Sequence, residues 1–135
     1  MVSKIDKEFF FQEQALGLRA YRQQVLAGNI ANADTPNYKA QDFNFTAALK
    51  EAIVGRGDSH LQVARTHLRH FPGTNGGDGM PGLKYRTPFQ DSADGNTVEM
   101  DQERSQFAEN AIHYQAGLTF ITHQVKMLTA AMQAQ

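Results

Sequence analysis

Cysteine is absent from the 135-residue chain. That excludes disulfides, thiolate nucleophiles and thiolate zinc sites together, and it removes any redox hazard in an oxidising compartment. An excess of positive charge is also missing: 13 Lys and Arg face 14 Asp and Glu, for a formal charge of −1. Nothing in that balance is suited to neutralising phosphates, so nucleic acid is not an expected partner. No apolar run approaches the ~20 residues that a membrane-spanning helix needs. The N-terminus lacks the pattern of a secretory signal, because Phe9-Phe10-Phe11 follows Asp6 and Glu8 and meets Gln12 at once. Export by the general secretory route is therefore not expected. The length suits one domain and excludes a two-domain enzyme. Hydrophobic residues at 41% and charged residues at 20%, with a mean hydropathy of −0.51, allow a modest core.

Glycine and proline are scarce at the two ends and concentrated between them. Eight of the eleven glycines and three of the four prolines fall between residues 55 and 95. The run from Phe71 to Gly82 cannot sustain a helix or a long strand. Within this middle, Leu61–Arg65 and Leu83–Arg86 alternate weakly, which is compatible with a short β-hairpin.

The C-terminal end carries the clearest pattern. Phe107, Ala111, Tyr114, Leu118, Ile121, Val125, Leu128 and Met132 recur at alternating three- and four-residue steps, the 3.5-residue period of a coiled-coil seam. Asp94-Gly95 is a turn signal, and Asn96 followed by Glu99 resembles a capping box. A helix is predicted from about 97 to 132. The N-terminal end repeats the pattern more weakly: Phe11, Ala15, Leu18, Arg22, Val25 and Asn29 keep the spacing, with Leu16, Ala20, Ala27 and Ile30 beside them. This helix must stop before Pro36, whose ring pushes Thr35 out of helical conformation, and Asn32, Asp34 and Asn37 supply turn chemistry. A shorter amphipathic piece runs from Phe43 to Val54.

The C-terminal helix would be roughly 50 Å long, whereas a compact globule of this size is about 37 Å across. Its far end is therefore expected to pack on another copy of the chain or on a partner helix. A self-contained two-helix hairpin is the plainer alternative.

Candidate chemistry is thin. His60, His67 and His70 lie close in sequence but lack a carboxylate or second histidine pair at metal-ligand spacing, so they read as solvated loop residues. His113 and His123 read as helix-surface residues. The glycine-rich stretch has no P-loop lysine, and Gly55-Arg56-Gly57 fails the dinucleotide fingerprint at His60. Residues 91–101 are acidic without calcium-loop spacing. No Ser/His/Asp set has a supporting motif, so no catalytic, cofactor-binding or metal-binding residue is assigned. Asn29 and Asn32 are more informative, since amides among apolar neighbours are costly unless paired. They either cap the helix and start the turn, or fix a helix-to-helix register as buried asparagines do in coiled coils.

The string from Leu26 to Ala40, LAGNIANADTPNYKA, resembles the N-terminal signature of bacterial flagellar rod and hook proteins. Asn37 stands where that family usually has glycine, and asparagine also adopts left-handed turns. A second string, from Asp94 to Asp101 with Glu103, Glu109-Asn110 and Tyr114-Gln115, is similar to the C-terminal segment of the proximal-rod members. The resemblance covers roughly residues 8–54 and 85–132. It implies a structural subunit of the basal-body rod, the drive shaft for motility, built with paired terminal helices at the core of a tube. It also implies passage through the flagellar type III export apparatus without a cleaved signal, and a periplasmic location.

The expected fold is mainly α: an antiparallel coiled-coil-like core of long terminal helices around an irregular middle. Residues 1–58 form a helix-and-turn segment, 59–95 the loop-rich middle, and 96–135 the C-terminal helix, which packs with 8–33. The expected assembly interface comprises Phe11, Leu18, Val25, Asn29, Ile30, Asn32, Phe107, Ala111, Tyr114, Leu118, Ile121, Val125 and Leu128. Thr35, Pro36, Asn37 and Tyr38 form the turn motif, and Asn96 with Glu99 the helix cap. Expected partners are further copies, other rod and basal-body proteins and the export apparatus; no cofactor or small-molecule substrate is expected. Two other readings stand beside this one: a cytoplasmic helical adaptor for a partner helix, and a small metal enzyme using the middle histidines.

Overall fold

The computed structural model describes residues 2–54, 81–90 and 92–133. In chain order these form α1 (Val2–Ala31), β1 (Gln41–Asp42), α2 (Phe45–Val54), β2 (Lys84–Tyr85) and α3 (Met100–Gln133). No proline interrupts α1 or α3, so neither loses a backbone donor along its length. For α1 the stop comes at Ala31, where the Asn32 amide N–H bonds back to Gly28 O and Asn29 O and the chain enters the turn before Pro36.

The two long helices pack antiparallel as one pair. Asn29 meets Glu103 near one end, Asn110 reaches Arg19 and Gln23 near the middle, and Gln12 meets Gln124 further out. The far end of α3 does not need a second chain to pack on, contrary to the expectation from its length. Because α1 starts as early as Val2, α3 has a partner within its own chain at least as far as Gln124.

Helix α2 lies against α1. Leu18, Phe43 and Ala48 are buried together, with Tyr21, Phe45, Leu49 and Ala52 packed around them. Tyr21 stacks on Phe43 at 5.6 Å between ring centroids, and the Arg19 guanidinium sits 4.4 Å above the Phe45 ring. Leu18 therefore turns toward α2, so the N-terminal apolar stripe serves this small core as well as the helix pair.

The strand expected at Leu83–Arg86 forms at Lys84–Tyr85, but its antiparallel partner is Gln41–Asp42, with Gln41 opposite Tyr85 and Asp42 opposite Lys84. The short sheet thus ties the middle to the N-terminal segment. Leu61–Arg65, the other half of the expected hairpin, and His60, His67 and His70 lie outside the described residues. No described helix is long and apolar enough to cross a membrane.

The capping expectation also needs correction. Helix α3 begins at Met100, and neither Asn96 nor Glu99 forms the reciprocal box. The buried Asn96 amide donates instead to the carbonyls of Asn32, Ala33 and Thr35, while its Oδ1 accepts from the Val98 N–H. A Glu99 carboxylate oxygen accepts from the Phe89 N–H. Asn96 thus satisfies the carbonyls of the turn that follows α1 rather than the start of α3.

Candidate functional site

The turn motif is built as the sequence suggested and then docked on residues 94–97. Asn37 adopts φ 60°, the left-handed conformation for which asparagine is tolerated. Its N–H bonds to Asp94 O, and Thr97 N–H bonds to Tyr38 O, while Ala40 N–H reaches the Thr97 hydroxyl. Facing Asn37 is Gly95 at φ +72°, where a Cβ would lie 2.7 Å from Asn37 Oδ1. Only glycine fits there, both for its backbone and for its neighbour.

Behind the turn lies a polar knot. Arg22 makes a bidentate pair with Asp42 at 3.1 and 2.8 Å. Arg86, arriving from β2, bridges Asp42 at 2.8 Å, Glu103 at 2.6 Å and Gln106 at 2.8 Å. Glu103 is wholly buried and also accepts from Asn29. The Asn29 amide donates to Gln41 O as well, and its Oδ1 accepts from the Gln41 N–H and the Tyr38 hydroxyl. Two guanidinium groups and two carboxylates thus neutralise each other around the buried Glu103, the other three being partly exposed, and amides supply further partners, as buried charge requires.

Protonation follows these contacts. Burial raises the Glu103 carboxyl above its ordinary value, against the opposing Asn29 hydrogen bond and Arg86 charge. Burial would raise Asp42 too, but hydrogen bonds from Arg22, the Phe43 N–H and Arg86 hold it below the usual range. The bond to Asp42 raises Arg22. Asp42 accepts from Arg22, Arg86 and the Phe43 N–H, and Glu103 from Arg86 and Asn29. Among the described residues no group of His, Cys, Asp or Glu could hold a metal ion.

The asparagine question resolves differently for the two residues. Asn29 is buried and joins α1, the turn and α3. The Asn32 side chain bonds locally, donating to Gly28 O and accepting from Thr35, which is cap-and-turn chemistry. Sequence reasoning passed over Arg22 as an ion-pair partner and missed Asp42, Arg86 and Gln106. The available signal was a second stripe at three- and four-residue steps, Glu103, Gln106, Asn110, His113, Gly117, Phe120 and Gln124, polar or small at every position but Phe120. Its members Glu103, Asn110, Gly117 and Gln124 contact α1. Gly117 lets Leu16 approach so closely that a Cβ would sit 2.9 Å from its Cδ2, and Asn110 is buried against Arg19 O and Gln23 Oε1.

The apolar seam read from the sequence is consequently rotated off the intramolecular contact. Phe107, Tyr114, Ile121 and Leu128 are half-buried along its edge, whereas Ala111, Leu118 and Val125 are exposed. On this side a groove of about 510 Å³ runs between the long helices, lined by Ala20, Gln23, Gln24, Ala27, Phe107, Ala111, Tyr114 and Gln115. On the other side a smaller groove, about 170 Å³, is lined by Phe11, Ala15, Leu16, Arg19, His113, Gly117 and Phe120 among others. Across the pair, Phe11, Ile112, Leu118, Phe120, Val125, Met127 and Met132 are exposed, from 37% at Leu118 to 73% at Met132. They do not form one patch: Phe11 and Phe120 border the smaller groove, whereas Leu118 and Val125 continue the exposed side of the seam. Of the remaining expected interface residues, Leu18 is buried, and Val25, Ile30 and Asn32 are half-buried.

Comparison with known proteins agrees in direction. The family profile described as flagella basal body rod protein matches residues 11–39. The chain is 50% identical to the flagellar basal body rod protein FlgB of Proteus mirabilis strain HI4320, over 98% of each chain. It is 44% identical to the proteins of the same name from Salmonella typhimurium strain LT2, over 98% of each, and Escherichia coli strain K12, over 99% of each.

Proposed function

The chain belongs to the family of flagellar basal-body rod proteins, and from that premise we propose that it is a non-enzymatic subunit of the proximal rod that assembles through its terminal helices. The coarse role, a structural part of the flagellar basal body serving motility alongside other rod proteins, follows from the family. The finer reading rests on one observation. The apolar stripe of α3 is only partly covered by α1: Phe107, Tyr114, Ile121 and Leu128 are half-buried, whereas Ala111, Leu118 and Val125 stay exposed. Exposed apolar residues repeated along a helix face support an interaction surface, and burying them contributes about 25 cal/mol per Å². Export through the flagellar type III apparatus and a periplasmic site in the assembled rod complete the proposal. The adaptor reading would leave the chain in the cytosol and has no support among the relatives.

Replacing the gene with a tagged copy and fractionating the cells tests this. The protein is expected in purified basal bodies, and deletion is expected to abolish swimming. A soluble cytosolic protein in swimming cells, absent from basal bodies, would refute it.

A further inference from the structure

Residues 82–90 carry β2 and are attached to the rest of the fold unevenly. Leu83, Lys84, Tyr85, Thr87, Phe89 and Gln90 are exposed, Tyr85 by 73% and Phe89 by 92%, so apolar burial contributes little to holding the segment. Its backbone attachments are the two-residue ladder with β1, the Arg86 N–H on Ala40 O and the Phe89 N–H on the Glu99 carboxylate. A two-stranded ladder is marginal by itself in water. Arg86 is the charged side chain of the segment that turns inward, and its guanidinium takes Asp42, Glu103 and Gln106 together.

The charged groups of the knot do not depend on this segment equally. Arg22 sits on α1 and would keep its bidentate pair with Asp42 if residues 82–90 moved away. Glu103 has one ion pair among the described residues, and it is with Arg86; without it, Asn29 would be the donor left to the carboxylate. We propose that residues 82–90 form a strap that opens and closes on the helix pair as one unit, latched by Arg86 on the buried Glu103 carboxylate. Segments with few buried apolar contacts open locally at a free energy below that of global unfolding. The strap fits that description, whereas α1 and α3 hold each other along their length. Opening would free the backbone edge of β1, and closing would restore the ion pair. One carboxylate on α3 thus sets where β2 rests. This holds for the isolated chain, whatever that chain assembles with.

Native-state amide hydrogen exchange on the full chain reads this directly. In the unsubstituted protein the Arg86 and Phe89 amides, both hydrogen-bonded, should exchange through a local opening whose rate hardly changes in sub-denaturing urea. Amides of residues 24–30 and 104–110 should instead accelerate with urea, because they follow global unfolding. Glu103→Gln keeps the shape and an acceptor oxygen but removes the charge, so the strap amides should exchange about tenfold faster while the helix amides stay as they were. Arg86→Lys keeps the charge without the planar fork; it should loosen the strap in the same way, and it carries the test if Glu103→Gln fails to fold. Phe89→Ala removes an exposed ring and should change neither set. Strap amides that exchange only through global unfolding in the unsubstituted chain would overturn the proposal. So would an unaltered strap in the folded variants, strap and helix amides that accelerate together, or a strap loosened as much by Phe89→Ala.

Discussion

The two ends of the long helix pair invert the usual arrangement of a globular protein. Near the turn, charged and polar groups are buried beside a small apolar core: Glu103, Asn29 and Asn96 lie inside together with Leu26 and Ala40. Toward the opposite end, large apolar groups such as Phe120, Met127 and Met132 face outward. Polar burial is directional and intolerant of the wrong partner, so the knot fixes how the chain meets itself. Apolar exposure is non-directional and proportional to area, so the outer half is suited to meeting other chains. The same α3 thus serves an intramolecular purpose through one stripe and an intermolecular one through its neighbour.

The comparison predicts that the knot responds to mutation in the isolated chain and the outer half only in the assembly. Arg86→Ala should have the largest effect on stability. It leaves the wholly buried Glu103 without its cation, a loss of about 3–5 kcal/mol, read by urea denaturation of the purified protein. Asn29→Leu should cost about 1–3 kcal/mol, because Gln41, Tyr38 and Glu103 lose their shared partner. Asn32→Leu should cost no more than about 1 kcal/mol, as expected of a local cap. Equal losses at the two asparagines would show that the knot is no more specific than ordinary turn chemistry.

Leu118→Asp should change the stability of the isolated chain by only about 0.5 kcal/mol, the scale of surface substitutions. Swimming should nevertheless vanish, because the assembled interface would bury an unpaired charge. Ile121→Asp, half-buried beside α1, should impair both. The smallest effect is the most specific. The folded state holds Glu103 above its ordinary value of 4.5, so between that value and neutrality the native chain binds more of this proton than the unfolded one. Its contribution therefore falls as pH rises through the folded-state value. Glu103→Gln should remove that slope, so the stability of wild type relative to the variant declines from pH 4.5 toward 7. Asp42 acts in the opposite sense, losing its contribution only as pH falls below its ordinary 3.8.

Much of the helical frame was legible because periodicity and proline report directly on backbone conformation. Pro36 located the end of α1, and the left-handed Asn37 followed from turn chemistry. The internal face of α3 was not legible. Glu103, Gln106, Asn110 and Gln124 share the heptad period with the apolar seam, and a polar stripe reads as solvent-exposed unless its partners are known. Those partners, Arg22, Asp42 and Arg86, come from three separate segments, and no local pattern announces such a junction. Asn96 illustrates the same limit. Its position before a helix suggested a cap for α3, yet its amide serves the carbonyls that follow α1, 61 to 64 residues away.

Amide hydrogen exchange, compared between the dilute isolated chain and assembled rods, tests the division of labour most directly. The polar knot should hold residues 22–31 and 100–110 protected in both states, because its contacts lie within one chain. Residues 125–133, beyond Gln124 and its contact with Gln12, should exchange rapidly in the isolated chain, where ordering each residue costs roughly 1–2 kcal/mol, and become protected only in the rod. Full protection of 125–133 in the isolated chain at micromolar concentration would contradict the account, since this end would then be stable without a neighbour.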